Sequence, residues 1–320
     1  MIVPVAGKRV WTALGVVASV VAVAALAVRS VPIVNRALIV TAALAPYLMV
    51  GAPVAMIVFA FLRRWVAAVV AVVLTVAAAA VQAPLFVGEE APSGVAVRFV
   101  SANLRYGHAD PVAVTELARE NADMLAVQEL TPEAAQRLSA AGLDREFPHQ
   151  ALRAREGPAG VGIWSRFPIV NSEADEGFWL GLLTARVRVP DVPDDVTVVT
   201  THMSAPWPEP IAGWRDDMAR LASALRGIAA ESKGAVLVAG DLNSTTDMRE
   251  FRRLLREGYR DAAEQAGAGL TRTHPADIAV PPVFPIDHVL VRGGTATSVR
   301  TPLIGGSDHR ALVADVILAP

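Results

Sequence analysis

Residues 235–243 read Ala235-Val236-Leu237-Val238-Ala239-Gly240-Asp241-Leu242-Asn243. A short, β-branched apolar run that stops at Gly-Asp and Asn is the pattern of a buried strand whose C-terminal tip presents a carboxylate and a carboxamide. Ligands of open sheets sit just beyond strand ends, which makes Asp241 and Asn243 the first candidates for a site. An Asx turn closing a strand would use the same residues through side-chain to backbone hydrogen bonds. The tetrapeptide gains meaning only from similar interruptions elsewhere.

At 53% hydrophobic residues and a mean hydropathy of +0.42, the 320-residue chain is too apolar for an ordinary soluble protein. Residues 10–28, 37–62 and 65–87 contain no charged side chain, and each is about long enough to cross a hydrocarbon core as a helix. We read residues 1–88 as a membrane region with three transmembrane helices, the middle one carrying Pro46 and Pro53. A cleaved signal peptide accounts only for the first run. Lys8 and Arg9 precede the first run and Arg63 and Arg64 separate the second from the third, against Arg29 and Arg36 in the loop between the first two. The positive-inside tendency then places the N-terminus in the cytoplasm and everything after about residue 88 outside, in a multi-pass plasma-membrane protein.

Residues 1–94 hold six of the 29 Lys and Arg and two of the 31 acids, leaving 23 bases and 29 acids, a net charge of −6, in the remainder. A duplex-DNA binder usually carries a basic footprint, so nucleic acid is the less favoured partner. With no cysteine, disulfides, thiolate metal sites and cysteine nucleophiles are excluded. Residues 89–94 form a polar linker, and 95–320 are long enough for one well-buried domain. Strand-like runs recur at 95–102, 124–128, 160–164, 182–189, 196–201, 235–239, 287–291 and 312–318, with helical patterns at 111–121, 132–141, 214–230 and 249–257. This predicts a layered α/β sandwich.

Polar residues interrupt these runs at their ends. Asn103 follows Ser101-Ala102, Glu129 follows Val127-Gln128, His202 follows Thr200-Thr201, Asp287-His288 opens one strand and Ser307-Asp308-His309 precedes the last. No Gly-x-Ser-x-Gly elbow is present. Carboxylates and carboxamides are hard oxygen ligands suited to Mg2+ or Mn2+. Phosphoester hydrolysis needs such an ion, a base for water and donors for developing charge.

Taken in order, Ser101-Ala102-Asn103-Leu104, Val127-Gln128-Glu129, Gly162-Ile163-Trp164-Ser165-Arg166, Thr201-His202-Met203, Gly240-Asp241-Leu242-Asn243, Ile286-Asp287-His288 and Gly306-Ser307-Asp308-His309 resemble the endonuclease/exonuclease/phosphatase superfamily of DNase I-like nucleases, inositol-phosphate phosphatases and bacterial sphingomyelinases. The resemblance implies a four-layer sandwich of two packed β-sheets flanked by helices. It makes Glu129 the principal metal ligand with Asn103 and Asp308 nearby, and Mg2+ the cofactor, with Mn2+ as its substitute. It also pairs His309 with Asp287, gives Asp241 or His309 the task of activating water, and has His202 and Asn243 donate to phosphate oxygens or the leaving group. Pro285 stands where many relatives have arginine, so a phosphate-binding cation would have to come from Arg105, Arg166 or Arg272. Residues 204–208, Ser-Ala-Pro-Trp-Pro, differ from DNA-repair members. His108, His149, His274 and His288 match no catalytic motif and are read as surface, packing or substrate contacts. Trp164, Trp179, Trp207 and Trp214 are read as core or membrane-interface residues.

Three N-terminal spans followed by such a domain also resemble membrane phosphatases associated with glycopeptide resistance, which act on undecaprenyl pyrophosphate. The expected partners are therefore the lipid bilayer and a lipid-linked phosphorylated substrate. The competing expectations are a surface nuclease and a membrane protein that binds a phosphorylated ligand without hydrolysing it.

Overall fold

The computed structural model describes residues 5–90 and 92–319, with side chains from residue 7 onward. Its contacts divide the chain into two units, residues 1–84 with Thr245–Arg249, and residues 85–244 with 250–320.

The first unit is helical: α1 (Val5–Val28), α2 (Arg36–Ala43), α3 (Ala45–Leu48), α4 (Gly51–Phe61) and α5 (Trp65–Gln82). Two helical stretches, Gly7–Val28 and Trp65–Phe86, are 22 residues each and apolar enough to cross a membrane. The middle run, read from the sequence as one transmembrane helix carrying Pro46 and Pro53, is sharply bent in the structure. Its halves, Arg36–Ala43 and Ala45–Phe61, meet at 69°, and the break falls where Pro46 lacks the amide needed to continue α2 and instead starts α3. Small residues let the helices approach: Ala22, Ala25, Ala52, Ala55 and Ala71 are fully buried, and a Cβ on Gly51 would lie 2.5 Å from the Ala18 carbonyl oxygen. Asp247 is also fully buried in this unit, ion-paired with Arg29 and accepting from Gln82 Nε2 at 3.2 Å.

The second unit runs β1 (Val95–Asn103), α6 (Pro111–Asn121), β2 (Met124–Gln128), α7 (Pro132–Ala140), α8 (Leu143–Glu146), β3 (His149–Arg153), β4 (Val161–Ser165), β5 (Ile169–Ala174), β6 (Leu182–Val187), β7 (Val196–His202), α9 (Ile211–Glu231) and β8 (Val236–Asp241). It continues with α10 (Arg249–Leu254), β9 (Arg260–Asp261), α11 (Ala262–Gln265), β10 (Asp287–Arg292), β11 (Gly294–Arg300) and β12 (Leu312–Leu318). The strands form two six-stranded sheets, ordered β11-β12-β1-β2-β4-β3 and β5-β6-β7-β8-β10-β9. The expected runs became strands within a few residues of their bounds. Sequence reading missed β3, β5, β9 and β11, all four of them at sheet edges.

Side-chain alternation explains why the central strands read as unbroken apolar runs. Val97, Phe99, Met124 and Ala126 point between the sheets, onto Val198, Leu237, Ala239 and Val289. Val100, Ala102, Leu125 and Val127 point outward, onto Val114 and Ala118 of α6 and Leu138 of α7. The helices begin where their sequence says they should: Asp110 accepts from Val112 N at 2.9 Å and Thr131 from Ala134 N at 3.1 Å, each with proline at the next position. On the other sheet, α9 buries Trp214, Met218, Leu221 and Leu225. Helices flank both packed sheets, which gives the four layers expected. The sheets are also joined by a buried polar bridge, in which Gln128 Nε2 donates to Thr200 Oγ1 at 3.0 Å.

Candidate active site

Each sheet has one parallel pair at its centre, β1 with β2 and β7 with β8. Parallel strands deliver their C-terminal ends to the same edge, so Asn103 lies at the end paired with Gln128, and His202 opposite Asp241. The antiparallel β10 starts at that edge, with Asp287 opposite Asp241. The segment 307–309 enters there too, because Ser307 Oγ donates to the Asn103 carbonyl at 2.8 Å and accepts from His309 N at 3.0 Å.

Tight turns follow the strands. Arg105, Tyr106, Glu129 and Asn243 all have left-handed backbone, with φ of 50°, 50°, 57° and 46°, a costly conformation for non-glycine residues that clusters at functional sites. Turning at once brings Tyr106 N to Glu129 Oε2 at 2.5 Å and Asn243 N to Asp241 Oδ1 at 2.9 Å. Gly240 is needed for a different reason: a Cβ there would lie 1.8 Å from the Thr201 carbonyl oxygen of the neighbouring strand.

Six of the eight residues singled out form one network. Asn103 Nδ2 donates to Glu129 Oε1 at 3.1 Å and to Asp241 Oδ2 at 3.2 Å. The same two carboxylate oxygens face His202 Nε2, at 3.9 and 3.6 Å, while His202 Nδ1 meets the Pro158 carbonyl oxygen at 3.1 Å. Asp241 Oδ2 also lies 3.6 Å from His309 Nε2, and His309 Nδ1 is 2.8 Å from Asp287 Oδ2. Asn243 stands at the margin, its Nδ2 turned to the Met203 carbonyl at 2.9 Å. Asp308 is further off. It makes no hydrogen bond to Asn103 or Glu129, and its carboxylate faces Arg105 Nε at 3.9 Å.

Electrostatics divide the carboxylates. Burial raises Asp241 to about 6, although His309 and His202 pull the other way. Asp287 is equally buried, yet the attached His309 holds it below the ordinary carboxylate range. Burial disfavours the His309 imidazolium, but Asp287 and Asp241 outweigh it and lift the ring to about 10. At neutral pH, Asp241 and Asp287 are therefore ionised and His309 is charged.

Glu129 Oε1 and Asp241 Oδ2 converge on the same amide and the same imidazole, a pair of hard oxygens that a divalent cation would neutralise. That fits Mg2+ or Mn2+ held by Glu129 with Asn103 beside it. Among the described residues, two sets of acids and histidines also bring one donor atom from each member within 4.8 Å of the others: Asp241, Asp287 and His309, and His274, Asp308 and His309.

Several contacts were not foreseen. Thr273 Oγ1 accepts from Asp287 N at 3.4 Å, and the half-buried His274 packs on His309 with ring centroids 4.6 Å apart; burial and the His309 charge keep His274 below its ordinary pKa. Arg105 is at the site but ion-paired with Asp277 at 2.9 Å. Arg166 is not at the site. It donates to the carbonyls of Ala122 and Arg119, and Ser165 before it pairs with Met124 at the opposite edge. His288 is a packing residue, between Asp261 Oδ2 at 2.7 Å and the Ser244 carbonyl at 2.8 Å. Trp164 and Trp214 are core, whereas Trp179 and Trp207 are 70% and 53% exposed. A cavity of about 570 Å³, lined by residues such as Glu173, Arg186 and Lys233, opens near Thr197 at the start of β7, away from this edge.

The fold is that of several solved structures. An endonuclease/exonuclease/phosphatase from Bacteroides vulgatus is 18% identical with a TM-score of 0.58, the match covering 70% of this chain and 99% of that one. D. rerio TDP2, solved with a single-strand DNA product, is 20% identical with a TM-score of 0.56, covering 69% and 98%. A family protein from Bacteroides thetaiotaomicron is 13% identical with a TM-score of 0.55, covering 72% and 100%. No curated protein matches the chain. Residues 100–309, running from β1 to the histidine of the last motif, match the family description itself, and the chain belongs to the Endonuclease/Exonuclease/phosphatase family.

Proposed function

We propose that the protein is a membrane-anchored, divalent-metal-dependent hydrolase that releases phosphate from a lipid-linked substrate such as undecaprenyl pyrophosphate. The observation that carries the reading is the convergence of Asp241, the His309–Asp287 pair, His202 and Glu129–Asn103 at one edge of a chain that also has two helices fit to cross a bilayer. Exposed apolar side chains support a lipid-borne substrate over a soluble one. Tyr106, Trp179, Trp207 and Ile278 all project from loops. Tyr106 N binds Glu129, and Gly181, two residues after Trp179, accepts from Thr201 Oγ1 beside His202. Exposed aromatic and aliphatic groups of this kind suit an amphiphilic ligand. The charge distribution around residues 8–9 and 63–64 favours an extracytoplasmic site if the bent middle run is one span.

In the reaction, a metal held by Glu129 and Asn103 would supply positive charge to the phosphoryl oxygens. Asp241, ionised above about pH 6, accepts the proton of the attacking water. The His309 imidazolium, fixed by Asp287, donates to a phosphoryl oxygen, while His202 stands on the other side of Asp241, its ring oriented by the Pro158 carbonyl. Water attacks directly, without a covalent enzyme intermediate.

The test is phosphate release from undecaprenyl pyrophosphate by the full chain in detergent micelles, with Mg2+ or with chelator. Metal-dependent release lost in both Glu129→Ala and His309→Ala is the expected result. Absence of release, together with metal-dependent cleavage of DNA or RNA by the same preparation, would overturn the lipid reading in favour of a nuclease. Tight binding of the phosphorylated lipid with no turnover of any phosphoester would make it a binding protein.

A further inference from the structure

We infer that the arginines of α10 and the turn after it, with Arg226 of α9, form a binding surface for the phosphate headgroups of anionic lipids. Arg249, Arg252, Arg253 and Arg256 follow one another at the spacing that puts side chains on one side of a helix. The helix buries Phe251 and Leu254 instead, and Arg253 and Arg256 are exposed. Arg226, Arg253 and Arg256 line one shallow cleft with Leu225 and Tyr259, and the acid there is Glu257. Glu257 faces Arg226 at 4.0 Å with both side chains largely in water, a weak pairing. Among the described residues, Arg253 and Arg256 have no ion-pair partner. Three guanidinium groups against one carboxylate leave the cleft positive, and guanidinium groups match phosphate in shape and charge.

The stretch before α10 points to a lipid as the source of that phosphate. Thr245–Arg249 belongs to the helical unit. Within it, Asp247 ion-pairs with Arg29, the residue after α1, and accepts from Gln82, the last residue of α5. Both lie near the C-terminal ends of the two apolar stretches, where a bilayer crossed by them passes from hydrocarbon to headgroups. Arg249 is two residues further on, and Arg253 follows it by one helical turn, about 6 Å of rise. Arginines at that depth are attracted to an anionic leaflet. The inference rests on the membrane-anchored part of the proposed function and not on its chemistry.

The test uses the full chain in detergent, with chelator present so that no metal at the Glu129 edge binds phosphate. The protein is titrated with dihexanoyl phosphatidylglycerol or with dihexanoyl phosphatidylcholine, and bound lipid is counted by native mass spectrometry. The anionic lipid should bind at least about 10-fold tighter at low salt, a preference that shrinks as salt rises. The triple variant Arg226→Gln, Arg253→Gln, Arg256→Gln should lose the preference. Lysine at the same three positions should keep most of it, and Arg153→Gln, an exposed arginine of β3, should leave it unchanged. Equal affinity for the two lipids, or a preference that survives the glutamine variant, would overturn the inference. Release of the protein from liposomes on alkaline extraction would instead overturn the anchored reading beneath it.

Discussion

Asp287→Asn removes the charge that fixes His309 and leaves an amide of the same shape. In the intact protein the His309 ring titrates at about 10 against an ordinary 6.5, a difference equivalent to roughly 5 kcal/mol in favour of the imidazolium. That figure is shared between Asp287 and Asp241, the latter 3.6 Å away, so the substitution should lower the pKa by about 1 to 3 units rather than restore 6.5. The assay is an NMR titration of histidine ring signals in chelator, with His309→Gln assigning the resonance among the six histidines of the chain. The sign for stability follows. A ring whose pKa is raised on folding stabilises fully below pH 6.5 and loses that contribution as pH climbs toward 10. Metal-free wild type should therefore become less stable across that window, and Asp287→Asn should show a flatter profile. A wild-type His309 that titrates near 6.5 in chelator would refute the account of the site.

Three further outcomes are expected. Gly240→Ala should fail to accumulate as folded protein, because its Cβ would lie 1.8 Å from the Thr201 carbonyl oxygen; circular dichroism matching wild type would contradict this. Thr200→Val should cost about 1–3 kcal/mol in chemical denaturation by stranding the buried Gln128 amide, and adding Gln128→Leu should recover part of the loss; a neutral single substitution would show the bridge to be idle. His288 faces two acceptors, Asp261 and the Ser244 carbonyl, and although burial opposes its charge the Asp261 partner raises its pKa. Its contribution is present below pH 6.5 and is lost as pH rises through the raised value, so Asp261→Asn, which preserves the acceptor for Ala263 N, should flatten the stability profile above pH 6.5.

The central strands were legible because both of their faces are buried, which leaves an apolar run ended by the one polar residue that matters, as at Asp241 or His202. The edge strands were not. β5 reads Ile169-Val-Asn-Ser-Glu-Ala174 and is largely exposed along its length, so only its pairing with β6 makes it a strand. The same limit applied to His274. It sits in a Thr-His-Pro segment that makes only an isolated bridge, to Phe284, and only packing brings its ring onto His309. Arg166 erred the other way: its Trp-Ser-Arg motif looked like part of the site, but β4 runs antiparallel to β2 and carries its C-terminal end to the far edge. The bend at Pro46 was foreshadowed by the residue itself, although proline in a membrane helix is compatible with both a kink and a full break.

The helical unit includes Thr245–Arg249, a segment more than 150 residues beyond its last helix. No single splice point can therefore exchange this helical unit for another. A recombination that imported new helices at residue 88 would leave Asp247 without Arg29 and Gln82, the groups it meets in this unit, so the two units should be inherited as a set. At the bench, a version beginning near residue 89 would lose Arg29 and Gln82 together with the helices of the unit that buries Asp247, so its carboxylate would return to water and Thr245–Arg249 would lose the helices of its own unit.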